Sequence, residues 1–340
     1  MVIVTGGTGY IGSHTVVELL QGGHEVVILD DLSNSSRTVL DAIAELAGKR
    51  PDFFQVDMAD APALAEVFQK IGAKADSVIH FAAKKAVGES VQNPLLYYRN
   101  NIFSLVNLLG EMKKYEISNL VFSSSCTVYG QPDVCPVTER TPRKEAESPY
   151  GNTKSICEDI IRDVSGEADL HAISLRYFNP IGAHKSAKIG ELPVGIPNNL
   201  IPYVTQTAAG IREELTVYGD DYDTSDGTCV RDYIHVVDLA KAHLQALKRI
   251  GENRMDKHYE IFNVGTGKGI SVLEIISAFE SATGIKLNYR IGDRREGDIT
   301  QTYADTSLAN TALDWKSELS LQQALASSWN WEKNYRKQQA

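Results

Sequence analysis

The sequence predicts an α/β fold, a doubly wound parallel sheet followed by a smaller, loop-rich C-terminal lobe. Three observations carry this. Short β-branched runs alternate with longer amphipathic stretches through the first half of the chain, which is the pattern of a parallel sheet with helices on both faces. The runs are apolar and bounded by turn residues, as strands buried on both sides require. After Asn179 the texture changes to a proline- and glycine-rich stretch, Pro180–Pro202, with little periodicity.

Taken in order, the expected strands are Val2–Thr5, Glu25–Leu29, Asp52–Val56, Ser77–His80, Leu120–Ser124 and Ala172–Arg176. Helical patterns lie near Ile11–Gln21, Ala61–Lys70, Pro94–Lys113 and Pro149–Val164. Further on, Leu215–Tyr218 reads as a strand and Gly219–Thr228 as a loop, and Tyr233–Leu247 and Tyr259–Val264 return to αβ texture. A chain of 340 residues suits about two domains. The expected division is 1–178 for the first, with returning segments near 233–265, and 179–340 for most of a second, non-contiguous lobe.

The chain is 43% hydrophobic and 23% charged, ordinary for a globular protein. Its net charge of −10 repels a phosphate backbone, so nucleic acid is not an expected partner. No apolar run approaches the roughly 20 residues of a membrane span. The opening Met-Val-Ile-Val-Thr-Gly-Gly reads as a strand entering a turn, not as a targeting segment. Cys126, Cys135, Cys157 and Cys229 form no Cys-x-x-Cys pair. Four reduced thiols in a cytoplasmic protein are expected. No metal is expected either. His80, His184 and His235 have no partner at ligand spacing, with His235 read as a buried, hydrogen-bonded residue, and Asp220–Asp226 lacks the EF-hand pattern.

The chemistry begins at residues 1–12. Both Gly7-x-Gly9-x-x-Gly12 and Gly6-x-x-Gly9-x-x-Gly12 fit the dinucleotide-binding pattern. The context is the required one, after a strand and at the start of a helix. One glycine permits the tight turn, another lets the backbone approach a pyrophosphate, and the last lets the helix pack on the strand. The helix N-terminus then presents free N–H groups to the phosphates. The sheet is thereby read as Rossmann-type. Asp30 stands 18 residues beyond Gly12, where an acid accepts hydrogen bonds from the adenosine ribose and repels a 2′-phosphate. The following Asp31-Leu32-Ser33-Asn34-Ser35 contains no arginine, which favours NAD over NADP. Asp57, with Met58 after it, ends the third run near the adenine.

Ser148-Pro149-Tyr150-Gly151-Asn152-Thr153-Lys154 reads as a helix start, with Ser148 as N-cap and Pro149 in the first turn. Tyr150 and Lys154 then share one helix face. A free phenol titrates near 10, and a nearby ammonium is expected to lower that value. Ser123-Ser124-Ser125 ends a strand. Ligands of a parallel sheet bind at the carboxyl ends of its strands, so Ser125 is expected to face Tyr150 across a substrate hydroxyl.

These motifs resemble the extended short-chain dehydrogenase/reductase family, most closely its UDP-glucose/UDP-galactose 4-epimerase branch. The resemblance runs nearly end to end, through Thr5–His14, His80–Ser90, Phe122–Gly130, Ser148–Lys154, Leu175–His184, Gly195–Leu200, Cys229–Leu239, Asn263–Gly267 and Arg294–Asp298. Arg176–Pro180, Ile196–Leu200 and Val230–His235 look specific to the epimerases. The resemblance implies that Tyr150, Lys154 and Ser125 are catalytic. It implies that Gly6, Gly9, Tyr10, Ile11 and Gly12 receive the NAD pyrophosphate, with Asp30, Asp31, Asn34, Ser35, Asp57 and Met58 around the adenosine. Phe81, Ala82, Lys85, Asn100, Ser123 and Tyr177 would line the rest of the NAD, together with Tyr150 and Lys154. It implies that Asn179, Asn199, Leu200, Thr216, Tyr218, Arg231, Tyr233, Arg295 and Asp298 hold the UDP moiety, the arginines as bidentate partners of a pyrophosphate.

The mechanism so implied removes the 4-hydroxyl proton at Tyr150 while C4 passes hydride to NAD⁺. The 4-keto sugar then turns over and receives the hydride on its other face. Thr302 occupies a position where bacterial relatives often carry tyrosine. The smaller residue suggests room for an N-acetyl group at C2, unless Tyr303 fills the gap. A homodimer joined through Pro94–Lys113 and Pro149–Val164 is expected by the same analogy. Rival readings are a 4,6-dehydratase, a simple dehydrogenase, and a noncatalytic NAD-binding protein. Against the first, Cys126-Thr127-Val128 after Ser125 offers no acid. Against the last, mere binding does not need Ser125, Tyr150 and Lys154 together.

Overall fold

The computed structural model describes residues 1–340 apart from Ala168, Val194, Glu296, Ala340 and the side chain of Glu167. Glu296, within the matched segment Arg294–Asp298, and Val194, within Pro180–Pro202, therefore lie outside the described residues. The chain runs β1 (Val2–Thr5), α1 (Tyr10–Gln21), β2 (Val26–Asp30), α2 (Val39–Ala47), β3 (Asp52–Gln55), α3 (Ala61–Ile71) and β4 (Ser77–His80). It continues through α4 (Val87–Gln92), α5 (Pro94–Tyr97), α6 (Phe103–Lys114), β5 (Asn119–Ser125), α7 (Pro149–Glu167) and β6 (His171–Tyr177).

These strands, with β11 (Tyr259–Val264) added later, form one parallel sheet in the order β11-β6-β5-β4-β1-β2-β3. The chain winds outward from β1 through β2 to β3, then returns to lay β4 on the other side of β1. The strand order reverses between β1 and β4, and the crevice outside their carboxyl ends is where such sheets bind ligands. Burial explains the apolar runs. Val2, Val4, Val26, Ile28, Ile79 and Val121 point into the core on one face. Ile3, Val27, Leu29, Val78, Leu120 and Phe122 point into the core on the other. Each such side chain contributes about 1.5–3 kcal/mol of burial.

Most expected elements are found within a residue or two. The exception is Pro94–Lys113, which is not one helix. A π-helical turn, Tyr98–Ile102, separates α5 from α6. Asn101 gives the reason, because its buried amide bonds both the N–H (2.8 Å) and the carbonyl (3.1 Å) of Lys84 and reaches the Thr153 hydroxyl at 3.0 Å. The widened turn aims Asn101 inward and leaves Asn100 on the cleft wall, a common use of π-turns.

The chain then forms β7 (Asn179–Ile181), α8 (Leu200–Ala208), β8 (Leu215–Tyr218), β9 (Val230–Arg231), β10 (Tyr233–His235), α9 (Val236–Gly251) and β11 (Tyr259–Val264). It closes with β12 (Ile270–Ser271), α10 (Val272–Thr283), β13 (Tyr289–Gly292), β14 (Gln301–Thr302), α11 (Ser307–Ala312) and α12 (Leu321–Gln339). Three small sheets pair β10 with β7, β13 with β8, and β12 and β14 with β9. Ile181, Ile201, Val204, Leu215, Val217, Ile275, Phe279 and Leu325 make a separate core around them. His235 is buried as expected, caps α9 by accepting the Val237 N–H at 3.1 Å, and burial lowers its pKa to about 4. Among the described residues, no helix is long and apolar enough to cross a membrane.

One buried ion pair locks the catalytic helix to the sheet. Glu158 on α7 and Arg176 on β6 are 2% and 3% exposed. Arg176 donates twice to the carboxylate, from Nε at 2.8 Å and from Nη2 at 2.5 Å. Ser124 on β5 donates to the same carboxylate at 2.5 Å. Truncating Glu158 strands a buried guanidinium, which costs about 3–5 kcal/mol. Glu158→Ala is therefore expected to unfold well below the wild-type temperature in a thermal melt, and Glu158→Gln less so. A Glu158→Ala melt superimposable on wild type would contradict this role.

Candidate active site

Between Thr5 and Tyr10 the chain must reverse from strand to helix. Gly6 does so at φ +68°, and a Cβ there would sit 2.8 Å from the Ala82 nitrogen. At Gly12 it would sit 2.2 Å from the Gly6 carbonyl oxygen. The working pattern is thus Gly6-x-x-Gly9-x-x-Gly12, while Gly7 packs on Ile28. No side chain caps α1 at Gly9. The first-turn N–H groups of Tyr10, Ile11 and Gly12 are left at the cleft wall, at the positive end of the helix dipole.

Asp30 ties this turn to the next loop. Its carboxylate accepts the Thr8 N–H at 3.1 Å, the Leu32 N–H at 2.9 Å and the Ser35 hydroxyl at 3.2 Å. Ser35 also bonds the Thr8 hydroxyl at 2.7 Å. An ionised carboxylate has lone pairs beyond these three, so it can still accept from a ribose. Asp31 caps its own loop through the Ser33 N–H at 2.8 Å, and Asp57 does the same through Ala59 at 2.8 Å.

The reacting end is built from β5, β6 and α7. Ser148 caps α7, accepting the Gly151 N–H at 3.2 Å, and so sets Tyr150 and Lys154 on the face toward the sheet. The Lys154 ammonium is buried, donates to the Ser123 carbonyl at 2.7 Å and lies 4.9 Å above the Phe122 ring. The Ser123 and Tyr177 hydroxyls bond each other across β5 and β6.

The electrostatics depart from the expectation for Tyr150. Burial raises its pKa, with Tyr177 adding to the rise, and the nearby Ser125 hydroxyl is the group that favours the phenolate. The reason lies in Lys154, which aims at a backbone carbonyl and whose own pKa burial lowers to about 8. Burial likewise pushes Tyr177 up to about 12.

On the facing wall, the Arg295 guanidinium lies 5.7 Å over the Tyr218 ring and grips Asp298 with both nitrogens, at 2.6 and 3.1 Å. Asn199 and Lys85 both donate to the Glu191 carboxylate, at 2.6 and 3.1 Å. Thr302 is 2% exposed, and its hydroxyl has no hydrogen-bond partner among the described residues.

One cavity of about 2170 Å³ joins these parts. Every residue singled out above for NAD, for the reaction or for UDP lies on its wall, including Met58, Phe81, Asn100, Leu200, Thr216, Arg231 and Tyr233. Sequence reasoning missed Glu191, which bridges Lys85 and Asn199, and the Glu158–Arg176 pair behind α7. Neither has a local signature, because each is defined by partners from distant segments.

Comparison with known proteins agrees with this geometry. Residues 3–327 match a family model described as GDP-mannose 4,6 dehydratase. A protein of Arabidopsis thaliana named UDP-glucose 4-epimerase 2 is 51% identical over 337 residues, which is 98% of this chain and 95% of that one. A crystal structure of UDP-glucose-4-epimerase from Stenotrophomonas maltophila, with bound NAD and formylated UDP-arabinopyranose, superposes with a TM-score of 0.95 at 48% identity, covering 99% of both chains. That of the Bifidobacterium longum UDP-glucose 4-epimerase, in complex with NAD+ and UDP, gives 0.93 at 47% identity over 98% of both. Likeness at this level across the whole chain places the protein in the UDP-glucose 4-epimerase family, among the extended short-chain dehydrogenase/reductases.

Proposed function

We propose that the cleft reversibly inverts C4 of UDP-sugars, interconverting UDP-galactose and UDP-glucose, with NAD retained through the cycle. The observation that carries this reading is one continuous cavity that joins the glycine turn, the Ser125–Tyr150–Lys154 group and the Asn199, Arg231, Arg295 and Asp298 wall. The dinucleotide fits. The space a Cβ would fill at Gly6 and Gly12 is closed to any larger residue, and α1 offers uncapped N–H groups for a pyrophosphate. Asp30, Asp31, Asn34, Ser35, Asp57 and Met58 would surround the adenosine. Phe81, Ala82, Lys85, Asn100, Ser123, Lys154 and Tyr177 would hold the nicotinamide half. Held there, NAD would supply a hydride acceptor and donor for C4.

The chain's own residues handle the proton and restrain the nucleotide. Tyr150 accepts the 4-hydroxyl proton, and Ser125 hydrogen bonds the same oxygen. Burial makes the phenolate costly, and the Ser125 hydroxyl is the group that favours it. Asn179, Asn199, Leu200, Thr216, Tyr218, Arg231, Tyr233, Arg295 and Asp298 grip the UDP. The 4-keto sugar can then rotate about its link to the diphosphate without leaving. A dehydratase would need an acid beside Ser125, and the turn Cys126–Tyr129 carries none.

The substrate range extends to UDP-GalNAc and UDP-GlcNAc. What supports this is Thr302, small and on the cavity wall, while Tyr303 lies off that wall with its ring against Gly269. The protein works as a homodimer. Supporting this is a run of exposed apolar side chains along α4 to α6, with Val91 61%, Leu95 81% and Phe103 52% exposed. Solvent-facing apolar surface of that extent marks an interface. A cytoplasmic location suits four free thiols, and recovery of the protein with cytosolic markers on fractionation checks it.

Three measurements test the reading. Tyr150→Phe should purify with its NAD and lose turnover by about 10²–10⁴-fold; near-full activity would remove Tyr150 from proton transfer. Thr302→Tyr should suppress conversion of UDP-GalNAc selectively, measured by NMR of the sugar signals beside UDP-galactose. Equal loss on both substrates would refute the pocket argument. Sedimentation should give twice the 37.4 kDa chain mass, and Leu95→Glu with Phe103→Glu should return it to a single chain. A wild-type monomer at micromolar concentration would overturn the dimer.

A further inference from the structure

A second cluster of ligand-type side chains stands at the opposite end of the sheet from the cleft. β6 begins at His171, and His258 immediately precedes the edge strand β11. The register sets Tyr259 beside Ala172, so His258 and His171 are cross-strand neighbours. Their rings stack with centroids 4.8 Å apart and planes 28° from parallel. Asp169 lies two residues before His171. One ligand atom from each of the three lies within 4.8 Å of the others. Asp169 and His258 are exposed and His171 is half-buried, so solvent and ions reach them. Neither imidazole hydrogen bonds another side chain among the described residues.

We infer that Asp169, His171 and His258 form a three-ligand site for a divalent transition ion of the zinc or nickel kind. Two imidazoles and a carboxylate are the donors such ions select. Ligand bonds of about 2.0–2.2 Å require the three atoms to draw in slightly, which rotation of two exposed side chains supplies. Water completes the coordination. The site is remote from the reaction. β6 runs from His171 to Tyr177, so at about 3.3 Å per residue the ion sits roughly 20 Å from the cleft. Its effect is on the fold. It joins the amino ends of β6 and β11 to the connection leaving α7, and it binds only when those strands are paired. Binding to the native state alone stabilises it.

The test uses the full-length protein, treated with chelator, dialysed, and titrated with ZnCl₂ by calorimetry and thermal melting, beside His258→Gln and Asp169→Asn. The wild type should bind one equivalent that His258→Gln binds at least ten-fold more weakly. Its melting temperature should rise by several degrees with zinc, a rise that both variants lose. Equal affinity and equal shifts in wild type and variants would overturn the site and send the zinc to another set of ligands, such as the cleft thiol Cys126.

Discussion

The working geometry depends on a charge pair that never meets solvent. Glu158 and Arg176 face each other between α7 and β6, with Ser124 of β5 on the same carboxylate. Lys154 and Tyr150 lie about one and two turns up the same helix, Ser123 and Ser125 flank Ser124, and Tyr177 follows Arg176. Each reacting group is thus a neighbour of a member of the pair. Buried ion pairs add little net stability over a well-packed apolar contact. What this one adds is direction, since a bidentate guanidinium–carboxylate contact tolerates little rotation. The Arg176 guanidinium also lies 4.9 Å over the Tyr129 ring, whose hydroxyl donates to Asn263 on β11 at 2.6 Å. The bracing so crosses three strands of the sheet.

The facing wall is pinned in the same manner by a second buried carboxylate. Asp232 is fully buried and sits between Arg231 and Tyr233. It accepts the Thr266 N–H and hydroxyl at 2.8 and 2.6 Å, the Gly267 N–H at 3.0 Å and the Ala304 N–H at 3.2 Å. Burial raises its pKa against the pull of these donors. Three segments far apart in sequence converge on one side chain, and two wall residues inherit their positions from it.

The parts legible in the sequence were those with local causes. A glycine turn, an apolar run and a helix start at Ser148-Pro149 each announce themselves within a few residues. So the first six strands and the Tyr150–Lys154 face could be read directly. The UDP wall came from family resemblance alone, because its small strands are two to four residues long and pair across long stretches of chain, as β9 does with β12 and β14. The π-turn at Tyr98–Ile102 was hidden for a related reason: its cause is the bond from Asn101 to Lys84 and Thr153, not its own composition. The Tyr150 titration was misjudged because spacing alone reveals a neighbouring charge but not where that charge points, nor how deeply both groups are buried.

Glu191 has a consequence for how a diphosphate enters. Its carboxylate occupies the space between Lys85 and Asn199 as an internal anion. A diphosphate arriving there meets donors already satisfied by negative charge, so association is an exchange of one anion for another. Local charge then changes little on binding, and added salt weakens the encounter less than it would weaken the approach to a bare Lys85 ammonium. Selectivity shifts accordingly, away from charge as such and toward ligands whose shape and hydrogen bonding surpass those of a carboxylate.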